Sequence, residues 1–147
     1  METIKLSFRV RNIAILILLI SFSSCISISS FDQYIYTQTT SVKVDALSVM
    51  DLAKEDYNIH KEKVAELQIN LQKIYEYEKN RPNNDITIKL WDKLLNAEGH
   101  LLAGFIKRWE AEKKLSETFI KEAKKQTADA FDIIAGLESK KIKRSDI

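Results

Sequence analysis

Few residues in this 147-residue chain have the type and spacing to do chemistry. The most conspicuous is Cys25, the single cysteine, directly after Phe22-Ser23-Ser24. A lone cysteine closes no intramolecular disulfide, so the fold must stand without covalent staples even in an oxidising compartment. His60 and His100 are the only histidines. Neither belongs to a His-Glu-x-x-His or Glu-x-x-His arrangement, because Tyr57 and Ala97 occupy the required acidic positions, and no metal site is expected. Asp56 lies four residues before His60 on one helical face, so two ligands could converge there; a seam histidine bonded to a neighbour is the expected use. No Gly-x-Ser-x-Gly turn or Ser-x-x-Lys motif sets a serine beside a base, and glycine-rich phosphate loops are missing. Carboxylate pairs at helical spacing, Glu62 with Glu66 and Asp129 with Asp132, read as solvated faces in a chain that is 30% charged. The residue types therefore predict no enzyme, no catalytic residue and no bound cofactor.

The setting of Cys25 is more specific than the residue itself. Lys5, Arg9 and Arg11, with Glu2 as the only acid, precede a run from Ile13 to Ile20 that is almost wholly aliphatic. As a helix, Ile13 to Phe22 reaches about 15 Å, roughly half the ~30 Å hydrocarbon core that a spanning helix must cross. A basic start, a short apolar segment and small residues form the pattern of an export signal. With Cys25 at its end, the segment resembles the lipobox of bacterial lipoproteins, Phe22 standing where leucine is commoner and Ser23 and Ser24 fitting well. The resemblance covers residues 1–25 only. It implies cleavage before Cys25, whose thiol carries diacylglycerol and becomes the new N-terminus. An ordinary secretory signal cut near Ser23 or Ser24, and an uncleaved tether, are the alternatives. Ile26 and Ser27 lack the acidic inner-membrane retention signal known in some such proteins, so the resemblance implies the outer rather than the inner membrane.

Subtracting that signal changes the electrostatics. The whole chain has 23 basic and 21 acidic residues; residues 1–24 contain three and one of these, leaving 20 of each. A formally neutral domain has no surplus of Lys and Arg to neutralise phosphates, so nucleic acid is not an expected partner. The one basic run, Lys140-Lys141-Ile142-Lys143-Arg144, reads as a solvated cluster placed favourably at a helix C-terminus.

The elements behind the anchor follow from scarcity: three glycines and one proline leave the backbone few places to break. Residues 25–31 are expected to form a short tether, and residues 32–147 a single helical domain. Ser30 or Asp32 would cap a first helix from Asp32 to Asn80, helical even across the β-branched stretch from Tyr34 to Val44, because a lone strand has nothing to pair with. Within it Ala46, Met50, Ala53, Tyr57, His60, Val64, Leu67, Leu71 and Ile74 alternate at spacings of four and three, a heptad-like seam that needs a partner surface. Arg81-Pro82-Asn83-Asn84-Asp85 is the clearest break. A shorter helix from Ile86 to Leu95 follows, capped by Asn84 or Asp85, and a long one from about Ala97 to Ile142, with Gly99, Gly104 and Gly136 producing a bend at most.

These elements predict an all-α fold: an elongated antiparallel helical hairpin or three-helix bundle, long, short, long, and coiled-coil-like. Thin bundles bury little per residue, which makes a homodimer plausible. Core packing is the expected use of Tyr75, Tyr77, Trp91, Phe105 and Trp109, although they could line a pocket near the helix ends. Tyr34 and Tyr36 lie close to the anchor and could face membrane or partner. The expected function is a lipid-anchored cell-envelope protein that binds or scaffolds an unidentified envelope protein. The competing readings are a bundle carrying a small ligand or metal, and an exported factor acting on another cell.

Overall fold

The structure, a computed structural model, describes residues 29–146. The expectations for residues 1–24, for Cys25 and for the first part of the tether lie outside the described residues. Among those described, the regular structure is helical throughout: α1 (Gln33–Asp51), α2 (Tyr57–Lys79), α3 (Asp85–Leu95), α4 (Leu102–Glu112) and α5 (Glu117–Glu138), with short 3-10 turns at Leu52–Lys54 and Arg144–Asp146. The all-α expectation holds.

The expected division into long, short and long helices does not. The predicted helix from Asp32 to Asn80 is two helices, because the chain reverses between Lys54 and Tyr57 without glycine or proline. A local signal marks the restart: Asp56 has extended backbone and its carboxylate accepts from the Asn58 N–H, a side-chain N-cap. The decisive partner is distant in sequence. The Tyr57 N–H donates to the Lys113 carbonyl at 2.9 Å and the Leu115 N–H to the Ala53 carbonyl at 2.8 Å, joining this break to the one between α4 and α5. The Trp109 indole N–H reaches the Glu55 and Lys113 carbonyls at 3.0 and 3.1 Å. Each break thus satisfies backbone groups that the other leaves orphaned. Lys113 ends α4 at φ 67°, in the left-handed region.

The reversal lays α2 back along α1 in the opposite direction, so that Tyr77 lies beside Tyr34 and Asp32. The seam closes largely within one chain: Ala46, Met50 and Ala53 are buried, as are His60, Val64, Leu67, Leu71 and Ile74, and Tyr57 is half-buried. Helix α5 runs antiparallel to α1 on its other side, with ion pairs from Lys43 to Asp132 and from Lys124 to Asp51 along their length. Helix α3 bridges α2 and α5 through the Tyr75 hydroxyl on Asp92 and an edge-to-face pair of Trp91 with Phe131. Helix α4 fills the remaining corner, where Trp109 meets Tyr57 and His60 and Phe105 stacks on Phe119.

The predicted helix from Ala97 to Ile142 is likewise broken. Residues 96–101 form a turn in which Asn96 accepts from the Glu98 N–H, and α4 begins at Leu102. Gly104 permits this turn to press on α4, since a Cβ there would lie 1.9 Å from the Gly99 carbonyl oxygen. Helix α5 stops at Glu138, and the chain folds back so that the Ile142 N–H donates to the Gly136 carbonyl, the Ile142 side chain occupying the space over Gly136.

Candidate functional site

The polar chemistry of the fold is concentrated at the end where α1 begins and α2 and α5 finish. The seam spacing continues from Leu71 and Ile74 to Glu78, and the apolar stripe of α5 continues from Phe131 and Ile134 to Glu138. Both carboxylates are consequently carried into the interior, at 1% and 5% exposure. Arg81, in the turn after α2, meets them together. Its Nη1 donates to Glu78 Oε2 at 2.9 Å and to Glu138 Oε2 at 2.7 Å, and its Nη2 to Glu138 Oε1 at 3.0 Å, a bidentate fork on Glu138. The same Nη2 donates to the Ser30 carbonyl at 2.6 Å, and the Asp32 N–H donates to Glu138 Oε1. With Ser29 buried as well, residues 29–31 are docked on the bundle, and the expected tether loses its last three residues to the domain.

Two carboxylates share one guanidinium, and burial decides how they ionise. Desolvation raises the Glu78 carboxyl above its usual range, against the lowering effects of Arg81 and Asn84. Burial also opposes the charge on Arg81, yet its hydrogen bonds to Glu138 and Glu78 outweigh this and raise its proton affinity further. Glu78 Oε2 accepts from Arg81 and, at 2.6 Å, from Asn84 Nδ2, whereas Oε1 has no partner. A proton on Oε1 breaks no hydrogen bond, so Glu78 has room for one.

Around this clamp lies an aromatic surface. Phe31 and Tyr36 rings are 6.2 Å apart, Tyr34 and Tyr77 rings 5.5 Å apart, and Phe31, Tyr34 and Tyr77 are exposed at 47%, 57% and 41%. The Tyr77 hydroxyl donates to Asp32 Oδ2 at 2.7 Å. That bond lowers the Asp32 carboxyl, helped by the Ile35 and Tyr34 N–H groups it caps, and raises the Tyr77 phenol. From Tyr34 and Tyr77 a shallow groove of about 250 Å³ runs between α1 and α2, floored by Val42 and Ile74 and edged by polar side chains.

The residues singled out from the sequence are scattered over the fold. His60 bonds a neighbour, as expected of a seam histidine, but the partner is Glu55, whose Oε2 is 2.8 Å from Nε2; Asp56 is committed to capping α2. His100 lies in the exposed turn before α4. Among the described residues no three His, Cys, Asp or Glu side chains gather as a metal site requires. Of the five aromatics weighed as pocket lining, Trp91, Phe105 and Trp109 are core, whereas Tyr75 and Tyr77 put their hydroxyls on Asp92 and Asp32. Sequence reasoning missed Glu78, Arg81 and Glu138; the available signal was a glutamate at the next seam position of each of two helices.

No helix among the described residues is long and apolar enough to cross a membrane. No protein-family model, curated protein or solved structure matches the chain.

Proposed function

We propose that this protein is a lipid-anchored component of the bacterial cell envelope, held at Cys25, whose helical domain binds or scaffolds another envelope protein. The observation that carries this reading is the run from Lys5 to Cys25: basic residues, an apolar segment too short to span, then Phe22-Ser23-Ser24-Cys25. The domain's role as a binding body is supported by the absence, in the whole sequence, of the serine, phosphate-loop and metal motifs considered above. The outer membrane is the proposed destination, since Ile26 and Ser27 carry no acidic retention signal. The working unit within the fold is proposed to be the antiparallel pair of α1 and α2, backed by α5, with the outward faces of α2 free for a partner. Ile59 and Ile69 stand exposed there.

The test is processing in cells. Inhibiting the lipoprotein signal peptidase with globomycin, or substituting Cys25→Ala, should cause unprocessed precursor to accumulate, and the mature N-terminal peptide should carry the mass of its acyl chains. Unchanged processing of Cys25→Ala would refute the anchor and favour plain secretion. Affinity capture from detergent-solubilised envelopes with the lipidated form, compared with a Cys25→Ala control, then identifies the partner.

A further inference from the structure

Among the described residues, three of the six exposed large hydrophobic side chains, Phe31, Tyr34 and Tyr77, crowd one end of the bundle; the others, Val44, Ile59 and Ile69, are distributed along α1 and α2. A packed aromatic surface of this kind asks for an occupant. The chain itself limits the choice. Ser29 is buried and Ser30 is held by Arg81, so between Cys25 and the docked chain there remain only Ile26, Ser27 and Ile28. A chain gains at most about 3.6 Å per residue, so Ser29 lies within about 14 Å of Cys25 and Phe31 within about 22 Å. A diacylated cysteine sits at the level of the lipid headgroups, a layer roughly 5–7 Å deep on each side of the hydrocarbon. On a chain anchored at Cys25, the end of the bundle bearing the aromatics is therefore the end nearest the bilayer.

We infer that the surface formed by Phe31, Tyr34, Tyr36 and Tyr77 rests in the headgroup region of the phospholipid leaflet that carries the anchor, fixing the orientation of the domain on the membrane. The inference rests on lipidation of Cys25. Tyrosine suits this position, with an apolar ring and a polar tip that stays hydrated. Tyr77 is already turned by its bond to Asp32 so that its ring packs against Tyr34, and the Arg81 clamp makes the platform rigid with respect to α2 and α5.

The test uses the full chain, lipidated in cells, purified and returned to phosphatidylethanolamine and phosphatidylglycerol vesicles whose acyl chains are brominated near the headgroup. Trp91 and Trp109 are fully buried and serve as an internal reference. In Phe31→Trp, the emission added by the new indole should fall roughly twofold in brominated relative to plain vesicles, as for an indole in the interfacial belt, with the buried pair unchanged. Tyr34→Trp is the second variant should the first fold poorly. Equal emission in both vesicle types, with the acyl mass present on the N-terminal peptide, overturns the docking and leaves the anchor intact. A missing acyl mass overturns the anchor, and the docking with it. Shielding from iodide that disappears on dilution of protein in lipid, without bromine quenching, would show that a second copy covers the surface, and this too overturns the inference.

Discussion

The two ends of the bundle solve the same problem, holding together chain segments that are distant in sequence, by opposite means. Where α1 begins and α2 and α5 finish, buried charge holds the segments together, with Arg81 against Glu78 and Glu138. At the far end, where α1 turns into α2 and α4 into α5, backbone amides and carbonyls exchange hydrogen bonds around Trp109. The first depends on side-chain identity and on pH. The second depends on shape, and apart from the Trp109 indole its hydrogen bonds run between backbone amides and carbonyls.

The sharpest way to break that contrast is Arg81→Met. It leaves Glu78 and Glu138 buried without a counter-charge, and should cost about 3–5 kcal/mol in urea or thermal unfolding of the processed chain. At the other end Trp109→Phe keeps the ring plane but removes the donor to Glu55 and Lys113, and a smaller loss of about 1–3 kcal/mol is expected by the same measurement. Gly104→Ala forces a methyl group into the Gly99 carbonyl, so the turn at 96–101 must shift. The expected cost is about 1–2 kcal/mol, with hydrogen exchange rising at residues 96–104 and unchanged at the Arg81 clamp.

Titration sharpens the comparison further. Because the folded-state proton affinity of Glu78 is raised, the native chain binds more proton at that site than the unfolded chain does, once pH exceeds the ordinary glutamate value of 4.5. Stability therefore declines as pH rises from there through the raised value, and the loss is complete above it. Unfolding curves collected at intervals from pH 4 to pH 8 should show this slope in the wild type and a flatter profile in Glu78→Gln. Trp109→Phe should leave the slope as it is. A smaller effect is expected of Lys43→Ala, which removes a partly exposed ion pair to Asp132; a change under about 1 kcal/mol, weakening with salt, is predicted.

The same contrast accounts for what could be read from the sequence. The fold class, the apolar seam, the turn at Arg81-Pro82-Asn83-Asn84-Asp85 and the helix from Asp85 to Leu95 are local features, written in periodicity and turn chemistry over a few residues. The breaks at 52–56 and 113–116 are not, since each is completed by hydrogen bonds to the other across some sixty residues; the local signals are one capping residue at each, Asp56 and Ser116. The clamp was half legible. Glutamates at seam positions 78 and 138 announce buried charge, but the single arginine that answers both lies in a turn whose proline and asparagines advertise only a change of direction. The aromatic surface was partly visible in Tyr34 and Tyr36, whereas Tyr77 joins it only because the chain reverses.

The hydrogen bond from the Asp32 N–H to Glu138 spans 106 residues, nearly the whole described domain. It makes the domain a closed circuit: the strap that begins it and the helix that ends it are stitched to each other, so no amino-terminal fragment contains its own closure. A chain still emerging, or one truncated before Glu138, can form α1 and α2 but has nothing for Arg81 to grip with its fork. With both ends of the circuit on the same side, a linker of a few residues from Asp146 to Ser29 should be tolerated, and the chain could be reopened at the exposed turn around Glu98 with the same architecture retained.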